Sequence, residues 1–280
     1  MDRGGSERAE ESSGCSPERT SGTVKLIYMN AQSVIKKMAE LRIIVGMRKP
    51  DVVTLTETWT NNDIDNSFLY IDNYEIIVRE DRADTSRGRG GGILIYVKKS
   101  MCAWKEEVVG PFCQCVGTKL RGSNGDLAVF VVYRSPNSSR ENDDSLCSLM
   151  RQMRGRFVIV GDFNYPGIRW VTGGSDAKGR AFHNAIEDMH MTQHVEEPTH
   201  ISGNLLDLVL SSDEKMIRDI RMEGRLATSD HELIETELLL DIKPSHKAEH
   251  ERDYRRGNYR EMRRCLGGIE WREEMENLRV

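Results

Sequence analysis

The chain has 280 residues, 38% hydrophobic and 30% charged, with a formal net charge of −5. It is long enough for one large domain with a sizeable core. It shows neither the ~20-residue apolar run of a membrane helix nor the apolar core of a signal peptide, so a soluble intracellular protein without a membrane role is expected. The negative balance argues against a uniformly basic nucleic-acid surface but leaves a local one open.

Residues 1–22 are rich in Ser, Gly, Glu and Arg and predict a disordered tail, since they bury too little to offset ordering entropy. Thr23–Asn30 (TVKLIYMN) then predicts a strand from its β-branched and apolar content. Residues 33–48 place Val34, Met38, Leu41, Val45 and Met47 at helical spacing and predict an amphipathic helix with Ser33 as its N-cap. Pro50 marks the exit, and residues 51–58 (DVVTLTET) predict a buried strand.

Short apolar strands follow at residues 74–78, 92–98, Cys115–Leu120 and Leu127–Tyr133, the last two joined through the turn residues Asn124, Gly125 and Asp126. Residues 142–154 predict a helix, 156–163 a strand and 177–189 a helix; strands at 205–210, 217–222 and 233–240 complete the series. The body thus spans residues 23–241, and residues 242–280 predict a charged linker or connector with short helices. Single helices among many strands, with hairpin-length links, predict an α/β sandwich of two mixed sheets with helices outside rather than regular βαβ alternation. The six cysteines, Cys15, Cys102, Cys113, Cys115, Cys147 and Cys265, form no Cys-x-x-Cys pair or zinc series, and free thiols are expected.

Polar residues recur at the ends of the apolar strands. In VIVGDFN, Gly161 allows close backbone approach, Asp162 can orient or deprotonate water, and Asn164 can hold a phosphate oxygen; an ordinary strand-to-turn exit uses the same residue types. TSDH pairs Asp230, a metal or water ligand, with His231, an acid, base or positive charge near neutrality. Glu57 in TLTETW ends an apolar strand and suits a hard metal. Asn30 ends the first strand, and Tyr133 and Arg134 stand at the strand end in VVYRSP. Asp207 interrupts LLDLVL, where a buried carboxylate needs a partner; histidine is the natural one.

This ordered set resembles the endonuclease/exonuclease/phosphatase superfamily over residues 23–240. The stretches NAQSVIKKMAEL, PDVVTLTETW, GRGGGILIYVKK, VVYRSPN, VIVGDFNYPGIRW, EPTHISGNLLDLVLSS and TSDHELI are similar to the apurinic-type endonuclease domain of non-LTR retrotransposons, jockey-like and chicken-repeat-like. DYRRGNYREMRRCLGGIEW resembles the connector that follows this domain in such proteins; no Tyr-x-Asp-Asp run is present, so polymerase activity is not expected of this chain. The resemblance implies a four-layer α/β sandwich that hydrolyses a phosphodiester with Mg2+ or Mn2+. It implies Glu57 as main metal ligand with Asn30 and Asp230 nearby. It implies Asp162 on the attacking water, Asn164 on the scissile phosphate, and His231, oriented by Asp207, on the phosphate or as base. Tyr133 then stabilises the leaving oxygen or the phosphate.

The partner so implied is nuclear DNA, nicked by a monomer or weak oligomer to leave a 3′-hydroxyl. Arg79, Arg82, Arg87 and Arg89, with Lys36, Lys37 and Arg42, are candidate backbone contacts or solvated loop charges, and Trp59 and Tyr165 either touch DNA or pack. Two other readings stand beside this one: an abasic-site or lipid phosphodiesterase of the same superfamily, and a domesticated binding module without turnover.

Overall fold

The computed structural model describes residues 22–81 and 90–242, together with Arg260, Arg263, Arg264 and Gly267, which are helical. The tail expected over residues 1–22, except Gly22, and most of the 242–280 connector lie outside the described residues.

Residues 22–81 and 90–242 form twelve strands and three α-helices in the order β1 (Thr23–Asn30), α1 (Met38–Arg48), β2 (Val52–Thr56), β3 (Tyr74–Glu80), β4 (Ile93–Lys98), β5 (Ala103–Glu106), β6 (Cys115–Leu120), β7 (Leu127–Tyr133), α2 (Arg140–Met150), β8 (Phe157–Asp162), α3 (Arg180–Asp188), β9 (Thr192–Gln193), β10 (Asp207–Ser211), β11 (Ile217–Arg225) and β12 (Glu232–Leu239). They make two six-stranded mixed sheets, ordered β11-β12-β1-β2-β4-β3 and β5-β6-β7-β8-β10-β9.

Side-chain alternation sorts the core into layers, because successive residues of a strand face opposite sides. In β1, Val24, Leu26 and Tyr28 face the second sheet, where they meet Leu127, Val129 and Val131 of β7 and Val158 and Val160 of β8. The other parity, Ile27 and Met29, packs with Val53 and Leu55 against Met38, Leu41 and Val45 of α1. On the far side, Ala128, Phe130, Phe157, Ile159, Leu208 and Leu210 pack on Leu146 and Met150 of α2 and on Phe182 and Ile186 of α3. Helix, sheet, sheet, helix is the four-layer sandwich expected from the sequence, and no helix of the described residues is long and apolar enough to cross a membrane. Cys102, Cys113, Cys115 and Cys147 are free.

Some local expectations are corrected. Ser33 does not cap a helix: its φ is +77°, and the chain instead passes through a 3-10 turn, Ile35–Lys37, whose N-cap Val34 makes no side-chain hydrogen bond. The helix expected from residue 142 starts at Arg140, where Ser139 accepts from Asn142 N as a true N-cap. Strands β5 and β9 are not among those expected from the sequence; β5 is a short, half-buried edge strand, and β9 has only two residues.

Candidate active site

The inward parity that builds the core ends in polar residues at one end of the sandwich. Val158 and Val160 are followed by Asp162, Val131 by Tyr133, and Leu26 and Tyr28 by Asn30. Register then lines them up: Tyr133 is opposite Asp162 across the parallel β7–β8 pair, and Asp162 is opposite Asp207 across the antiparallel β8–β10 pair. Gly161 is required there. Its φ is +156°, and a Cβ would lie 1.9 Å from Val132 O of the neighbouring strand.

Four side chains join the two sheets at this end. Asn30 Nδ2 donates to Asp162 Oδ2 at 2.9 Å and lies 3.4 Å from His231 Nε2. His231 Nδ1 and Asp207 Oδ2 are 2.7 Å apart. His231 is 6% exposed and Asp207 0%. Burial works against a charged imidazole, yet the hydrogen bond and charge of Asp207, with the charges of Asp162 and Glu57, raise its pKa to about 9. Asp162 is pushed well above the usual carboxylate range by burial first and by Asp207 second, with His231 opposing. The pair is thus an imidazolium held by one carboxylate beside a second carboxyl that retains proton affinity.

Glu57 closes the site from β2. Its φ is +51°, so the chain leaves the strand direction there. Its Oε2 accepts from the Trp59 indole N–H and, at 3.0 Å, from Gly91 N. A Cβ on Gly90 would meet Tyr133 Oη at 3.7 Å and Glu57 Oε2 at 3.8 Å, so the glycine strip lies against the site. Burial, then the Glu57 charge, hold the Tyr133 phenol well above its usual range, leaving it a neutral donor. Asn164, at φ +52°, donates to Arg134 O at 2.9 Å. Asp230 stands at the rim, paired with Gln32 through Gln32 Nε2 at 3.4 Å and Asp230 N at 3.2 Å.

An acidic cluster at this end could hold a divalent cation. Asp162, Asp207 and His231 offer ligand atoms within 4.8 Å of one another. This grouping differs from the Asn30, Glu57 and Asp230 set expected from the sequence. The 2.7 Å contact between His231 Nδ1 and Asp207 Oδ2 is a hydrogen bond, with a proton between the two atoms, and Tyr28 donates to Asp207 Oδ1, so these atoms are already engaged. What stays open is Asp162 Oδ1, buried and without a hydrogen-bond partner, near Glu57. A buried carboxylate oxygen with no donor is the atom a cation or a water satisfies.

Tyr28, Thr56, Thr199 and His200 of this region are not singled out from the sequence, and Arg134 is read there only as a strand-end residue beside Tyr133. Tyr28 and Thr56 hydrogen-bond behind Asp207. Thr199 Oγ1 accepts from Leu206 N and Asp207 N, fixing the backbone of Asp207. Arg134 is fully buried, bonded to both oxygens of Asp143 at 2.7 and 2.8 Å and to Phe163 O and Asn164 O. His200 meets His231 edge to face, ring centroids 4.8 Å apart.

Of the four described candidate DNA cations, Arg79, Arg42 and Lys37 hydrogen-bond within the chain. Arg79 binds Asn61 O, Ile64 O, Asn66 and Asp81; Arg42 binds Phe68 O and Tyr70 O; Lys37 Nζ donates to Ala31 O at 2.7 Å. Lys36 is exposed, and Arg82, Arg87 and Arg89 lie outside the described residues. Tyr165 packs, stacked on Phe182 at 4.7 Å beneath Arg134.

Residues 127–235 match the family described as endonuclease-reverse transcriptase, a span that includes Tyr133, Asp162, Asn164, Asp207, Asp230 and His231. The fold also superposes on the endonuclease domain of TRAS1, a telomere-specific non-LTR retrotransposon, with a TM-score of 0.60 and 17% identity over 78% of this chain and 99% of that one. This is the endonuclease/exonuclease/phosphatase fold. The same fold is shared with the AP endonuclease LMAP from Leishmania major (TM-score 0.62, 17% identity, 83% of this chain and 92% of that one). It is shared as well with the 3′–5′ exonuclease NExo from Neisseria meningitidis (TM-score 0.61, 16% identity, 76% and 99%). No curated protein matches the sequence. The resemblance read from the sequence motifs and the sandwich expected with it agree with these findings.

Proposed function

We propose that this chain is a divalent-metal-dependent DNA endonuclease that hydrolyses a phosphodiester and leaves a 3′-hydroxyl able to prime synthesis, as in non-LTR retrotransposition. The observation that carries the reading is the convergence of Asn30, Asp162, Asp207 and His231 from both sheets on one buried cluster with an unsatisfied carboxylate oxygen. The match over residues 127–235 and the likeness to DNA-acting nucleases support DNA as substrate.

Each side chain then has a task. Asp162 Oδ1 takes a proton from the attacking water, a role suited to a carboxyl with raised proton affinity. His231 in its charged form, held by Asp207, faces the negative charge that gathers on the phosphate oxygens. Asn164 and the neutral Tyr133 phenol donate to the phosphate or the leaving 3′-oxygen. Glu57, with Asn30 and Asp230, is the proposed seat of Mg2+ or Mn2+, which when bound supplies positive charge to the phosphoryl group. One chain holds all of these residues, so the reading needs no second copy. Nuclear DNA is the proposed target.

The test is a nicking assay on supercoiled plasmid with Mg2+, comparing wild type with Asp162→Ala and His231→Ala and with a chelated sample, followed by polymerase extension from the nicks. Nicking by wild type alone, with extendable ends, supports the reading. Folded wild type that cuts no faster than Asp162→Ala and His231→Ala overturns it. Nicks that a polymerase cannot extend overturn the 3′-hydroxyl claim.

A further inference from the structure

Tyr28 is fully buried between the sheets, and the chemistry proposed above does not use it. Its hydroxyl oxygen lies 2.8 Å from Thr56 Oγ1 and 2.8 Å from Asp207 Oδ1. An ionised carboxylate only accepts, so the phenol donates to Asp207, and Thr56 in turn donates to the phenol oxygen. The other Asp207 oxygen takes His231 Nδ1–H at 2.7 Å. The chain Thr56–Tyr28–Asp207–His231 therefore runs from the residue before Glu57, across the gap between sheets, to the imidazole at the start of β12.

We propose that Tyr28 is a positioning residue for the Asp207–His231 pair. Thr199 fixes the Asp207 backbone but not the rotation of its carboxylate. With His231 alone, the second oxygen of a carboxylate that is 0% exposed is left without a donor, and the group turns to find one. Tyr28 satisfies that oxygen and holds the carboxylate plane so that Oδ2 stays on Nδ1. A phenylalanine would fill the same space among Val24, Leu26, Val160 and Val209, so the hydroxyl, not the ring, carries the role. The catalytic consequence rests on the proposed nuclease reading; the positioning does not.

The test compares Tyr28→Phe with Tyr96→Phe. Tyr96 is also a buried phenol, donating to Leu69 O at 2.9 Å on the α1 side of its sheet, so it controls for loss of a buried phenolic hydrogen bond. For Tyr28→Phe, kcat is expected to fall about tenfold or more with KM little changed, while Tyr96→Phe keeps its kcat. A second readout is the downfield proton on His231 Nδ1, assigned by its loss in Asp207→Asn and expected to shift or broaden in Tyr28→Phe only. A folded Tyr28→Phe with wild-type kcat and an unmoved proton overturns the proposal. If Tyr28→Phe fails to fold, Thr56→Val, which removes the bond that orients the phenol, carries the same two readouts. If wild type cuts no DNA, the nuclease reading falls by itself, and the proton resonance alone decides for or against Tyr28.

Discussion

Asp207, which opens β10 of one sheet, and His231, 24 residues on and immediately before β12 of the other, meet side chain to side chain at 2.7 Å with almost no exposure. The folded imidazole holds its proton to about pH 9, against 6.5 for the free side chain. Folding thus takes up a proton: the stability this supplies is complete below about pH 6.5 and is lost as pH rises through about 9. Asp162, also raised, acts in the same direction. Metal-free protein is expected to lose on the order of 3 kcal/mol across that window in urea unfolding, and His231→Ala to flatten the profile. A wild-type profile as flat as that of His231→Ala would contradict the charged pair.

Removing the carboxylate tests the catalytic use of the same pair. Asp207→Asn keeps shape but replaces the charge that holds the imidazolium. Nicking turnover is expected to fall by about two to four orders of magnitude, with DNA binding nearly unchanged. Single-turnover kinetics beside a binding isotherm separates the two; an equal loss in both would make Asp207 a structural residue.

The metal reading is testable through Trp59, whose indole N–H bonds Glu57 Oε2. Mn2+ titration is expected to change tryptophan fluorescence in wild type, and chelator to reverse it. Glu57→Gln should raise the half-saturating metal concentration about 10- to 100-fold. An unchanged metal dependence in Glu57→Gln would place the cation elsewhere, for example nearer Asp162.

Gly161 has no room for a side chain. Gly161→Ala pushes a Cβ into Val132 O and is expected to destabilise by about 3 kcal/mol or more, or to prevent folding, because the obstacle is the backbone of the paired strand. Chemical denaturation of purified protein reads the cost; a loss within about 0.5 kcal/mol would mean that β7 and β8 shift freely.

Arg134 and Asp143 form a buried ion pair that also ties down Phe163 O and Asn164 O. Arg134→Ala strands Asp143 and is expected to cost about 3–5 kcal/mol, and Arg134→Lys to recover only part, since an ammonium cannot make the two-pronged contact. Equal stability of Arg134→Lys and wild type in thermal or urea unfolding would show that the fork geometry is unused.

Much of the sandwich was legible in the sequence because burial leaves a local trace. Alternating apolar residues mark β1, β7 and β8, and a polar residue placed where that alternation demands an apolar one marks Asn30, Asp162 and Asp207 as strand-end groups facing the interior. Edge strand β5 left no such trace, since its residues are half solvated, and Ser33 looked like a cap because its φ of +77° is not written in its identity. The partners were hidden for the same reason. Tyr28 carries no signal of its own within TVKLIYMN, and Arg79 reads as either a DNA-backbone contact or a solvated loop charge. Only the tertiary structure puts Asp207, 179 residues away, against the Tyr28 hydroxyl and wraps the carbonyls of Asn61 and Ile64 around Arg79. Periodicity encodes which side of a strand faces inward; what waits there is decided by the packing of one sheet on the other, because hydrogen bonds between distant residues leave no mark on the local pattern of either.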